Sequence, residues 1–147
     1  MSSRISATLL AVLVVSGALT ACASSPETPH VVPITEVSAG DCFSSDADLT
    51  VATLAASCAD PHLYEVLSAA PSELGEAFPG DDALASEADA RCSAQFAELG
   101  RDAVAGLTAL HLVPSERSWS EGDRNLVCLI ASSEGDELSG SRLPTNG

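Results

Sequence analysis

The sequence predicts an α+β domain: a small, mostly antiparallel sheet packed with one main helix and stapled by two disulfides. Three observations carry this reading. Leu84, Ala88, Cys92, Phe96 and Leu99 recur at helical spacing, which makes residues 82–99 one long helix. Apolar runs of strand length lie before and after it. Four cysteines stand clear of the signal-like N-terminus, in a chain whose 3% aromatic content leaves it a modest, aliphatic core that covalent staples would support.

In chain order, Arg4 precedes an uncharged stretch of apolar or small residues, 5–19. A positive start followed by so short a stretch reads as an export signal, because a spanning helix needs about 20 apolar residues. It ends in Leu19-Thr20-Ala21-Cys22, which resembles the lipobox of bacterial lipoproteins, where a small residue precedes a cysteine that is lipidated and becomes N-terminal. The alternative is an ordinary signal peptide with a cysteine near its end. On the lipobox reading residues 1–21 are removed and Cys22 carries the lipid, a diacylglyceryl group with palmitate-type chains. Two chains anchor stably where one does not, each buried CH₂ contributing about 0.8 kcal/mol. Residues 22–33, with Pro26, Pro29 and Pro33, form an extended tether; residues 34–143 fold, and 144–147 fray.

Residues 31–37 alternate around Pro33 and read as an opening or edge strand. Residues 49–56 and 63–69 are apolar runs separated by Ala59-Asp60-Pro61, and so read as a hairpin. Asp81 or Asp82, after Pro79-Gly80, supplies the N-cap of the helix, and Gly100 stops it. Residues 109–113 read as a strand, 115–121 as a turn or one helical turn closed by Gly122, and 126–131 as a final strand.

The odd cysteine count resolves into one anchor, Cys22, and four cysteines to pair. Cys42, Cys58, Cys92 and Cys128 allow three pairings. Cys42–Cys58 and Cys92–Cys128 are favoured, since the first closes a short loop and the second ties the helix to the last strand. No C-x₂-C occurs, so neither a zinc knuckle nor a thioredoxin-type redox motif is present. The charge of −15, with 21 acidic against six basic side chains, argues against nucleic acid as a partner, because little here could neutralise phosphates. No G-x-S-x-G, H-E-x-x-H or Gly-rich phosphate loop appears, and no spacing singles out a carboxylate dyad. No catalytic residue, cofactor or metal site is assigned.

Three stretches stand out: Gly40-Asp41-Cys42-Phe43, then Cys58-Ala59-Asp60-Pro61-His62-Leu63-Tyr64-Glu65-Val66, then Pro114 to Cys128 with Trp119, Gly122, Asp123 and Arg124 inside it. With Cys92 and Phe96 on the helix, this order resembles the septum-formation domain family, over residues 37–143. The resemblance implies a small extracytoplasmic domain of actinobacteria, tethered by lipid or a membrane helix and linked to division septa; it implies no activity and no functional residues. Read from the residues alone, His62 and Glu65 are three apart on a strand and point to opposite faces, with His62 bonded in the Pro61 turn and Glu65 solvated or paired with an Arg. Arg124 forks onto a carboxylate such as Asp41. Trp119 caps the small core. The binding alternative gives His62, Trp119 and Arg124 a ligand.

The resulting expectation is a lipid-anchored protein on the outer face of the cell membrane. Its domain binds an envelope protein or wall component, or acts structurally, without catalysis. The alternative is a small secreted wall-modifying hydrolase that uses carboxylates. A pocket holding two carboxylates about 5–10 Å apart favours the enzyme; a flat apolar patch around Trp119 favours the binding module.

Overall fold

The computed structural model describes residues 29–144. The expected signal peptide, Cys22 and the first part of the tether lie outside the described residues, as do the last three residues of the tail. Six strands form one antiparallel sheet in the order β1-β3-β2-β4-β6-β5: β1 His30–Pro33, β2 Cys42–Ser45, β3 Val51–Leu54, β4 Tyr64–Pro71, β5 Leu107–Leu112 and β6 Asn125–Ser132. Two helices complete the α+β fold, α1 Asp81–Glu98 and the short α2 Glu116–Ser120.

Strand β6 shows how the sequence builds both sides of the sheet. Alternation sends Val127 and Leu129 to one face and Leu126 to the other. On the first face they join Val37, Phe43, Ala52 and Val66, with Val32, Leu54 and Leu112 against them. All six strands thus feed one cluster. On the second face Leu126 meets Leu84 and Ala88 of α1 and Trp119 of α2. The Cys92–Cys128 bridge ties α1 to β6 on this side, and Cys42–Cys58 joins β2 to the loop before β4. Both pairings are the favoured ones.

The long helix has the anticipated extent, and Leu84, Ala88 and Cys92 are buried. Its N-cap is Gly80 rather than an aspartate. Asp81 and Asp82 instead occupy the first turn, where their charge favours the positive end of the helix dipole. Gly100, at φ +86°, takes the left-handed conformation that ends the helix. Ser115 caps α2 by accepting a bond from Ser118 N at 3.1 Å.

Two further expectations need correction. Residues 49–56 and 63–69 form β3 and β4, but these do not pair, because β2 lies between them. The connection 55–63 exceeds a tight hairpin loop, and the Cys42–Cys58 bridge draws it back across β2. This inserts Phe43, fully buried, into the centre of the first cluster. The opening strand runs only over His30–Pro33, beginning within the expected tether, and Ile34–Glu36 turns away as a 3₁₀ helix. Pro33 has no N–H with which to prolong a ladder.

Candidate functional site

The residues singled out in the sequence fall into two groups. The first surrounds the start of β4. His62 lies before the strand, held by backbone bonds to Leu138 in both directions at 3.0 and 2.7 Å. Strand alternation therefore does not apply between His62 and Glu65. Both are fully buried, and a ring nitrogen of His62, a carboxylate oxygen of Glu65 and Cys42 Sγ lie within 4.8 Å of one another. The expected opposite orientation of His62 and Glu65 is thus overturned.

His62 does bond within the Pro61 turn: Nδ1 lies 2.8 Å from Asp60 O. A carbonyl only accepts, so Nδ1 carries a proton there. Nε2 has no partner among the described residues. Glu65 is not solvated and, among the described residues, is not paired with an Arg side chain. Its carboxylate accepts from Ser141 Oγ, from Arg142 N at 2.6 Å and from Leu143 N at 3.4 Å. Gly140 N also bonds Cys58 O at 2.6 Å. The buried carboxylate at the head of β4 thereby holds residues 141–143, a satisfied arrangement for a group that is otherwise costly to bury. As ligands for a metal ion, His62 and Glu65 offer two donors, since Cys42 is committed to its disulfide.

The second group lies at the other end of β6. Trp119 is 3% exposed and donates from Nε1 to Glu76 O at 2.9 Å, with Phe78 edge-on at 5.9 Å. It caps the core beneath the sheet. Arg124 does not fork onto Asp41. Its guanidinium sits 4.1 Å from the Trp119 ring centroid and bonds three carbonyls: Trp119 O, Asp123 O and Glu76 O. Gly122, at φ +103°, permits the turn that brings Arg124 back over the ring. Cation–π contact and carbonyl bonds fasten the 76–78 segment where a carboxylate partner had been expected.

Sequence reasoning missed a third cluster. Glu87 of α1 accepts from Ser72 Oγ at 2.5 Å and Glu73 N at 2.9 Å, and pairs with Arg91 at 2.8 Å. Burial would raise the Glu87 pKa, but the bonds from Ser72 and Glu73 and the Arg91 charge together hold it below its ordinary value. Arg91 also bonds Ala70 O and Pro71 O, so the pair locks α1 to the end of β4. The i, i+4 spacing of Glu87 and Arg91 was the available signal.

Open depressions mark the surface of the described residues. One of about 640 Å³ is lined by Leu67, Gln95, Glu98, Leu99 and Leu143. Another, of about 430 Å³, lies where β5 and β6 meet the following turn, against Tyr64, Thr108, Leu110, Glu134 and Asp136.

Residues 39–147 match the family model described as "Septum formation". No curated protein and no solved structure matches the chain. The matched span takes in both disulfides, the His62–Glu65 cluster, the Trp119–Arg124 cluster and the C-terminal segment.

Proposed function

The chain belongs to the septum-formation family, and on that premise we propose that it is a lipid-anchored extracytoplasmic protein whose domain works by binding an envelope protein or wall component during septum formation, without catalysis. The family match over residues 39–147 carries the septum-related, extracytoplasmic part of this reading. The lipobox-like Leu19-Thr20-Ala21-Cys22 supports the anchor. Both disulfides suit an oxidising compartment outside the cytoplasm.

Non-catalytic action draws support from the work the polar groups already do. Glu65 binds the C-terminal segment, Arg124 and Trp119 bind residues 76–78, and four cysteines are bridged. Glu87, held ionised beside Arg91, is the opposite of a general acid, which needs a raised pKa. Loss of the signal takes the side-chain charge from −15 to −16. Anionic lipid repels such a domain within about 10 Å of its surface, which keeps it standing off the membrane on its tether.

Cys22→Ala tests the anchor. The wild-type chain fractionates with membranes, and the variant is released into the medium. Retention of Cys22→Ala in the membrane fraction would refute lipidation at this residue.

A further inference from the structure

The two edges of the sheet are treated differently. Strand β1 is four residues long and ends in Pro33, which cannot donate to an incoming strand. Strand β5, at the opposite edge, is Leu107-Thr108-Ala109-Leu110-His111-Leu112, with no proline, lysine or carboxylate to deter pairing. Folded proteins ordinarily blunt such an edge.

The ladder shows which groups of β5 are free. Ser133 N bonds Gly106 O at 3.0 Å, directly before the pair Leu107↔Ser132. In an antiparallel ladder the residues that exchange bonds alternate. Thr108, Leu110 and Leu112 therefore turn their backbone toward β6, and Ala109 and His111 turn theirs outward. The other side of β6 agrees: Ser72 N bonds Arg124 O at 2.8 Å, which assigns the even residues of β6 to β4 and leaves the odd ones for β5. Among the described residues, the outward groups of Ala109 and His111 meet only Thr108 Oγ1, at 3.5 Å from Ala109 O.

Beside this edge lies the 430 Å³ depression. Thr108 and Leu110 line it from β5, and Glu134 and Asp136 stand at its rim. Leu110 is 37% exposed. A strand added to β5 would lay an apolar side chain beside Leu110 and a cationic one toward Glu134 and Asp136. A second copy of this chain fits poorly, because two copies that each carry 21 acidic and, without Arg4 of the signal, five basic side chains would repel.

We propose that β5 is the docking edge of the domain, taking an extended segment with alternating apolar and basic residues from an envelope protein by β-strand addition. This rests on the binding reading above and specifies its surface. Backbone bonds to Ala109 and His111 supply affinity; Leu110 and the Glu134–Asp136 pair supply selection.

A fluorescent peptide of alternating lysine and valine, flanked by serines, serves as the probe, with the oxidised domain as target. Ala109→Pro removes an outward N–H from an edge strand, a position where proline is tolerated. The expected result is saturable binding to the wild type and new hydrogen-exchange protection at the Ala109 and His111 amides. Affinity should fall about tenfold in Ala109→Pro, as loss of edge bonds implies. Glu134→Gln/Asp136→Asn should weaken binding and flatten its salt dependence. Should Ala109→Pro not fold, Leu110→Lys replaces it, because that side chain is exposed. Equal binding to wild type and variant, peptide-bound amides at 109 and 111 that stay unprotected, or a peptide-free dimer that protects them would each overturn the proposal. The peptide assay judges the edge alone, whereas the position of the chain in dividing cells judges the binding reading, so either can fail without the other.

Discussion

Replacing Glu65 by glutamine removes the anion that fastens the C-terminal segment while keeping the volume of the side chain. Glu65 is fully buried, and its two close bonds come from Ser141 Oγ and Arg142 N. A bond to a charged group contributes roughly 1.5–3 kcal/mol, and an unpaired buried donor carries its own penalty of similar size. In Glu65→Gln the amide oxygen keeps Arg142 N and the NH₂ donates to the Ser141 hydroxyl, so both close bonds survive only at the neutral worth of about 0.5–1.5 kcal/mol each, while Leu143 N is left facing the NH₂. Neutralising a buried charge returns part of its desolvation cost, which leaves a net destabilisation of about 2–3 kcal/mol. For a domain of this size that corresponds to a fall in Tm of roughly 8–12 °C. Thermal unfolding followed by circular dichroism measures the fall, and hydrogen exchange shows whether the Arg142 amide loses protection. A Tm within about 2 °C of wild type, with Arg142 still protected, would refute the role given to Glu65.

The two disulfides differ in reach. Sequence separations of 16 and 36 residues correspond to about 3 and 4 kcal/mol in the chain-entropy model. Cys92→Ser/Cys128→Ser should therefore unfold at lower urea than Cys42→Ser/Cys58→Ser, and the reverse order would count against loop entropy as the leading contribution. Glu87→Gln should be less stable than wild type at pH 7. Because the folded-state pKa lies below its ordinary value of 4.5, the wild-type advantage is complete above that pH and fades as pH falls through the folded-state value. Urea midpoints at pH 7, 5, 4 and 3 follow the gap; a gap that widens on acidification would contradict the assignment.

The parts of this fold that were legible in the sequence are those with a strong local period or a covalent constraint. Residues 82–99 announce α1 through Leu84, Ala88 and Cys92, and the last strand announces itself through the apolar run at 126–131. The cysteine pairing followed from loop length and from the need to tie α1 to β6. Strand β2 was not legible: it has four residues, and Phe43 is its one large apolar side chain. Missing it produced the mistaken hairpin. The site was the least legible part. His62 and Glu65 look like strand neighbours, but His62 lies outside β4, in an isolated bridge to Leu138, so the alternation that would separate them does not apply. Ser141 and Arg142 lie in irregular chain 76 and 77 residues beyond Glu65, and no local pattern announces such a contact. Arg124 was read by its charge, whereas its planar face and donors are used on Trp119 and on carbonyls.

The most direct test of the account is the ratio of this chain at division septa to that along the lateral membrane, measured by immunofluorescence in dividing cells that express the full chain. The account predicts enrichment at septa for the wild type and loss of that enrichment in Ala109→Pro, with both remaining membrane-bound. A uniform distribution of the wild-type chain along the membrane would contradict it.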